Sequence, residues 1–307
     1  MITRNKKFAL RILAFLFIAD ILAFIAVFDL KQPGFLEINF FDVGQGDAAL
    51  IETPAGHQIL IDGGPDSRIL EKLGKTLPFW DRTIDLVILT HPEKDHLFGL
   101  LEVLKKYKVE NILWTGVKRD TAEFEKWIEL IAEERAKILI AKSGQKITMA
   151  ELNIDILYPL ESLEGQEFKD NNNTSIVAKF VFGKNSFLFT GDIYKSAERE
   201  LLNLVKQQLR ANILKVSHHG SKTSSDEEFI KEVSPEVAII SAGRENQYGH
   251  PHLETLETLK KYGIRTLSTP SSKTLNTSYL TILRTDVHGD IKIISDGNYY
   301  NVSNLQD

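Results

Sequence analysis

Residues 86–96 read Leu-Val-Ile-Leu-Thr-His-Pro-Glu-Lys-Asp-His, an apolar run that delivers His91, Glu93, Asp95 and His96 within six positions. Alternate side chains of extended chain point the same way, so His91 and Glu93 face together. A turn at Lys94 would swing Asp95 and His96 towards a neighbouring position. One loop can thus feed two divalent ions about 3.5–4 Å apart, close enough to share a hydroxide at neutral pH.

Other apolar runs end in the same chemistry. Phe-Leu-Phe-Thr-Gly-Asp at 187–192 ends on Asp192, and Ile-Leu-Lys-Val-Ser-His-His-Gly-Ser at 213–221 ends on His218 and His219. His250 and His252 follow the run at 237–241. Six of the eight histidines stand at or beyond the exits of apolar runs. Surface decoration explains any one cluster but not all of them together. No Gly-x-Ser-x-Gly elbow or Walker sequence offers a rival chemistry, and the absence of cysteine removes thiolate ligands and disulfides.

This pattern resembles the metallo-β-lactamase superfamily, whose usual loop is His-x-His-x-Asp-His, followed by a bridging Asp and a late His. Phe-Asp-Val-Gly-Gln-Gly-Asp at 41–47, Leu-Ile-Asp-Gly-Gly at 60–64, Ser-His-His-Gly-Ser at 217–221 and Tyr-Gly-His-Pro-His at 248–252 are more closely similar to the metallo-hydrolase domain of ComEC-type competence (DNA uptake) proteins. The likeness runs over 36–297, with a mismatch near 270–278.

The resemblance implies a first metal on His91 and Glu93, a second on Asp95 and His96, a bridge at Asp192, and a further ligand at His218. His219 is left as ligand, proton donor or packing partner, with His218 preferred as the ligand. Glu93 stands where the superfamily usually has histidine; a carboxylate makes that site harder and favours manganese or magnesium over zinc. The implied cofactors are two divalent ions, Mn²⁺ or Zn²⁺, with Mg²⁺ a further option.

Asn172, in the run 170–175, offers an amide oxygen or orients a water, or belongs to an ordinary loop. Asp62 would orient a ligand histidine through its distal N–H. Asp47 would approach the site from its Gly-Gln-Gly turn. His250 is the candidate proton donor or phosphate clamp, with His219 the competitor, or else marks a helix entry with Pro251 in its first turn. Ser221 would bind phosphate or cap a helix near Asp226.

The elements that must position these residues are short strands at 36–43, 48–53, 58–62, 86–90, 111–114 and 137–141, then 152–158, 175–182, 186–190 and 237–241. Helical periodicity appears at 121–135, where Phe124, Trp127, Ile128 and Ile131 follow the i, i+3, i+4, i+7 rule and Thr121 is a cap. Further helices are expected at 196–209, 226–233 and 253–262, with a hairpin turn at 183–185. Two face-to-face sheets with helices outside accommodate this order. The resemblance implies an α/β (α+β), four-layer αββα sandwich over 32–307.

Residues 1–31 are compositionally separate. Arg4, Lys6, Lys7 and Arg11 precede an apolar run at 12–28 broken by Asp20. As a helix, 17 residues span roughly 25 Å, near the lower limit for a bilayer. Asp20 costs about 2.5–3.5 kcal/mol and the run's Leu, Ile, Phe and Val return roughly 4–7 kcal/mol. The expectation is one transmembrane helix in the cell membrane with the hydrolase body extracytoplasmic; secretion after signal cleavage is the alternative.

A formal charge of −5 argues against broad polyanion binding. The leading expectation is a metal-dependent phosphodiesterase or nuclease, with DNA, single-stranded in particular, as substrate and a separate DNA-uptake channel protein as partner. The other readings are a phosphoesterase on envelope polymers or small phosphodiesters, and a non-catalytic metal-binding module.

Overall fold

The computed structural model describes residues 4–31, 34–261, 265–266 and 281–304; the expected mismatch at 270–278 lies outside them. The chain forms two compact units, 1–34 and 35–307. The first is one helix, α1 (Arg4–Lys31). Among the described residues no helix is long and apolar enough to cross a membrane, so the spanning part of the expectation is not supported.

In the second unit the chain runs β1 (Leu36–Phe40), β2 (Ala49–Glu52), β3 (Gln58–Ile61), α2 (Arg68–Thr76), β4 (Thr83–Ile88), α3 (Lys94–Leu104), β5 (Lys108–Trp114), α4 (Ala122–Glu134) and β6 (Lys137–Ile140). Next come β7 (Lys146–Met149), β8 (Leu152–Tyr158), β9 (Val177–Phe182), β10 (Asn185–Phe189), α5 (Lys195–Leu204) and β11 (Ile213–Lys215). Then follow α6 (Glu227–Val233), β12 (Val237–Ile240), α7 (Leu253–Lys260), β13 (Arg265–Thr266), β14 (Thr281–Arg284), α8 (Thr285–His288), β15 (Ile291–Ser295) and β16 (Tyr300–Asn304).

One sheet has the order β16-β15-β1-β2-β3-β4-β5-β6 and the other β13-β14-β12-β11-β10-β9-β8-β7. Side-chain alternation divides each strand between two faces. Phe187 and Phe189 point between the sheets, where Phe189 stacks on Phe40 with centroids 5.4 Å apart, whereas Leu188 belongs to the outer layer with Leu201 and Phe229. On the other outer face, Leu60 and Val87 pack with Leu73, Leu97 and Trp127 from α2, α3 and α4. Both faces of each sheet are covered, which is why the central strands read as unbroken apolar runs. The expected αββα layering is the observed one.

Strands β3 and β4 are parallel, as are β10, β11 and β12. Their carboxyl ends emit the residues singled out above. Thr121 accepts from Phe124 N at 3.3 Å and caps α4 as expected, and Phe182 pairs with Asn185 across the expected hairpin. The turn anticipated at Lys94 is instead the first turn of α3, with Glu93 as its N-cap residue.

Candidate metal centre

Helix α3 fixes the ligand run because its backbone is seated on the loop after β3. Gly63 N donates to His96 O at 2.8 Å, and Gly99 N donates to Gly64 O at 3.0 Å. A Cβ on Gly99 would sit 1.9 Å from Gly63 O, a separation that only two glycines permit. Gly46 does the same for the preceding loop: its φ is +143° and a Cβ would fall 2.2 Å from Asp95 O. The Gly-Gln-Gly-Asp turn is thus pressed against the start of α3.

Four side chains from three separate exits converge. Single ligand-type atoms of Asp95, His96, Asp192 and His219 all lie within 4.8 Å of one another. His96 Nε2 is 3.4 Å and His219 Nε2 3.2 Å from Asp192 Oδ2, and His219 Nε2 is 3.4 Å from Asp95 Oδ2. At these separations the ring N–H directions do not make hydrogen bonds: His96 Nε2, His219 Nε2, Asp192 Oδ1 and His91 Nε2 are buried without a hydrogen-bond partner. Buried polar atoms are ordinarily paired. Imidazole nitrogens and carboxylate oxygens gathered round a common space, with no partner among themselves, fit a divalent cation.

The opposite edge of each ring is held. His96 Nδ1 donates to Asp62 Oδ2 at 2.8 Å, and Asp62 also accepts from Thr90 N at 2.8 Å and from the Thr90 hydroxyl at 2.7 Å. That fixes ring direction and leaves Nε2 for a cation. His219 Nδ1 lies 3.0 Å from Ser241 O and 3.2 Å from Asp47 Oδ1. Asp47 is bound in turn by the buried Lys215 ammonium at 2.6 Å. Asp47, Asp62 and His96 also lie within reach of one another, but Asp47 Oδ2 is held by Lys215 and Asp62 Oδ2 by His96 Nδ1.

Electrostatics follow the same pattern. Burial pulls His96 and His219 down, but Asp192, with Asp62 beside His96 and Asp47 beside His219, more than offsets it and holds both well above the usual histidine range. Burial raises Asp192, yet the two rings drive it well below the usual carboxylate range. Burial and the charge of His96 push His91 down to about 3. The protons on His96 and His219 supply the positive charge the carboxylates demand, which a cation would replace.

The remaining expected residues line the cavity or support its walls. Glu93, Asp95, Asn172, Asp192, His218, His219 and His250 surround a cavity of about 190 Å³ together with Gln45 and Tyr248. His219 stands in the four-residue cluster, while His218 Nε2 is 3.3 Å from Asn172 Nδ2 and its Nδ1 3.1 Å from Thr223 Oγ1. Both rings sit on left-handed backbone, φ 49° and 53°, and two such residues in succession aim the neighbouring rings apart. Asn172 also donates to Tyr194 Oη at 2.9 Å.

Glu93 is not in the cluster. Its carboxylate accepts from the Arg119 guanidinium and from Asn171 Nδ2 at 3.3 Å. Ser221 is buried in a turn with its hydroxyl 2.9 Å from Thr223 Oγ1, which makes it a loop-shaping residue rather than a cavity-lining one. His250 Nδ1 is 3.5 Å from Gln45 Nε2, and burial with the charges of His219 and His218 pushes it down to about 4.

Sequence reasoning passed over Arg119, Lys215 as an ion partner, and Glu198. Glu198 is fully buried on α5 and accepts from Ser217 Oγ, Ser225 N and Asp226 N at 3.2, 2.8 and 2.7 Å, clamping the loop that carries His218 and His219. Burial pushes it up to about 7. A Lys inside the apolar run 213–216 was the available signal for Lys215; nothing in a helical Glu signals burial.

A family model described as the metallo-beta-lactamase superfamily matches residues 41–244. The chain belongs to the metallo-β-lactamase superfamily. The superfamily fold protein YhfI of Bacillus subtilis superposes with a TM-score of 0.52 at 14% identity, covering 81% of this chain and 96% of that one, a likeness of fold alone. The chain is similar to ComE operon protein 3 of Bacillus subtilis, 34% identical over 262 residues, 79% of this chain and 33% of that protein. It is also similar to Recombination protein 2 of Haemophilus influenzae, 30% identical over 231 residues, 74% of this chain and 26% of that protein. The chain thus spans a third or less of these relatives, and within the superfamily it resembles the hydrolase domain of ComEC-type competence proteins.

Proposed function

We propose that this superfamily hydrolase is a two-metal phosphodiesterase that cleaves DNA outside the cytoplasmic membrane. The observation that carries the metal chemistry is the convergence of Asp95, His96, Asp192 and His219, with buried nitrogen and oxygen atoms left without partners. Divalent ions bound here would activate water and neutralise charge building on phosphoryl oxygens.

The chain's own residues divide the remaining work. Asp95, His96, Asp192 and His219 would hold one ion; His91 and Glu93 would supply donors for a second, Glu93 being paired with Arg119 in the metal-free chain. Asp62 and Asp47 keep His96 and His219 presenting Nε2. With its Nδ1 facing Gln45 Nε2, His250 carries its proton on Nε2. Held near 4, it is neutral at pH 7, and serves as a hydrogen-bond donor to a phosphoryl oxygen rather than as an acid. DNA is supported by similarity to the competence relatives; the separate channel partner is part of the same reading. The apolar amino-terminal run supports attachment to the cell membrane with the hydrolase unit extracytoplasmic.

The test joins metal content to turnover. The purified chain should take up Mn²⁺ or Zn²⁺ and hydrolyse an aryl phosphodiester and single-stranded DNA in preference to duplex DNA or teichoic-acid-like polymers. Asp192→Ala should lose both bound metal and turnover with its circular dichroism unchanged. Parent-level activity in that variant would overturn the mechanism, and activity on envelope polymers alone would overturn the substrate.

A further inference from the structure

Among the described residues, the end of the hydrolase unit away from the metal centre carries four exposed aromatic side chains. Phe35 is 51% exposed, Phe79 80%, Trp80 73% and Tyr299 78%. Topology collects them. Strand β1 is antiparallel to β2, β2 is antiparallel to β3, and β3 is parallel to β4, so β1 and β4 start at the same end. Phe35 precedes β1, and Phe79 and Trp80 precede β4. Ser295 pairs with Leu36 at that end and with Tyr300 across the next strand, so the turn bearing Tyr299 lies there too. The metal-site residues leave the opposite ends of β1, β3 and β4.

We propose that this aromatic end rests on the lipid–water interface of the membrane. The inference rests on the reading of the amino-terminal segment as membrane-attached. Three neighbouring strand spacings separate β1 from β4, about 14 Å, so the rings are spread along one face of the unit instead of folded together. Phe79 and Trp80 meet edge to face, centroids 4.8 Å apart, and neither is drawn into the core. Exposed apolar groups in such number mark an interaction surface. Tryptophan and tyrosine, apolar bodies with one polar atom, suit the headgroup level of a bilayer.

The surrounding charge is mixed. Arg82, Lys108 and Lys184 lie at these turns, and so do Asp81 and Asp296. Neutral lipid is therefore a sufficient partner, and an acidic one is not required. Only six residues separate the apolar run 12–28 from Phe35, a tether of at most about 20 Å when fully extended. Strand β4, six residues long, then lifts the metal centre about 20 Å from the lipid, open to a substrate arriving from the aqueous side.

The chain has three tryptophans, and Trp114 and Trp127 are buried at 7% and 0% exposure, so Trp80 is a built-in reporter. The full chain is reconstituted with phosphatidylcholine vesicles, plain or with brominated acyl chains, and floated on a density gradient. Docking predicts that the floated protein loses emission in brominated vesicles and that Trp80→Phe floats equally but shows no such loss. Flotation with unchanged emission, and with Trp80 still quenched by aqueous iodide, would overturn docking while leaving membrane attachment intact. Failure to float would overturn both.

Discussion

Replacing Lys215 with Met should destabilise the metal-free protein by about 3–5 kcal/mol. The Lys215 side chain is 3% exposed and its ammonium lies 2.6 Å from Asp47 Oδ2. At an effective dielectric constant of about 20, unit charges at that separation attract by about 6 kcal/mol. Loss of hydration offsets much of this in the intact pair. Removing only the ammonium leaves Asp47 buried, with His219 Nδ1 at 3.2 Å as its remaining charged partner. Burial pushes Asp47 up, and Lys215 followed by His219 outweigh it to hold the carboxyl well below the usual range. A carboxyl with a depressed folded pKa contributes stability above its unfolded value, lost as pH falls through the folded one. In Lys215→Met the folded value rises, so that contribution shrinks at neutral pH. Lys215→Met/Asp47→Asn should recover most of the loss, because a neutral amide at position 47 leaves no unpaired buried charge behind. Urea unfolding followed by tryptophan fluorescence reads both variants. A single-variant loss under about 1 kcal/mol, or a double variant less stable than the single, would refute the argument.

Gly99→Ala forces a carbon to within 1.9 Å of Gly63 O and should cost at least about 1–3 kcal/mol; a lower melting temperature together with weakened Mn²⁺ binding is expected, since α3 carries His96. Arg119→Gln frees Glu93 from its guanidinium partner and should strengthen the weaker of two Mn²⁺ sites by roughly tenfold in titration calorimetry; unchanged affinity would show that Glu93 is not a ligand. Because Asp192 and its neighbours outweigh burial and hold His96 and His219 protonated above the usual range, metal must displace those protons. Affinity should therefore fall as pH falls, with proton release visible in buffers of different ionisation enthalpy; equal affinity at about pH 6 and 8 would contradict it.

Residues that act at strand exits were legible in the sequence because an exit has a local signature. An apolar run ending on Thr90-His91, on Gly191-Asp192 or on Ser217-His218-His219 announces both a buried strand and the chemistry at its end. What the sequence could not resolve was direction. His218 and His219 are chemically identical neighbours, and only their left-handed backbone, φ 49° and 53°, decides which ring meets Asp192. That backbone is fixed from outside the motif by Glu198, 19 residues upstream of Ser217 on α5, a residue whose helical position reads as solvent-facing. The same limit applies at Glu93. Its type and spacing suit a ligand, yet its charge in the folded chain is answered by Arg119, 26 residues on, in a loop with no motif of its own. Local pattern specifies which donors reach the site. Long-range partners specify which of them face the shared space between the rings and carboxylates, and those partners are Asp62, Asp47 with Lys215, and Glu198. A loss of metal affinity on changing any of the three, without touching a ligand, is the behaviour that this division of labour demands.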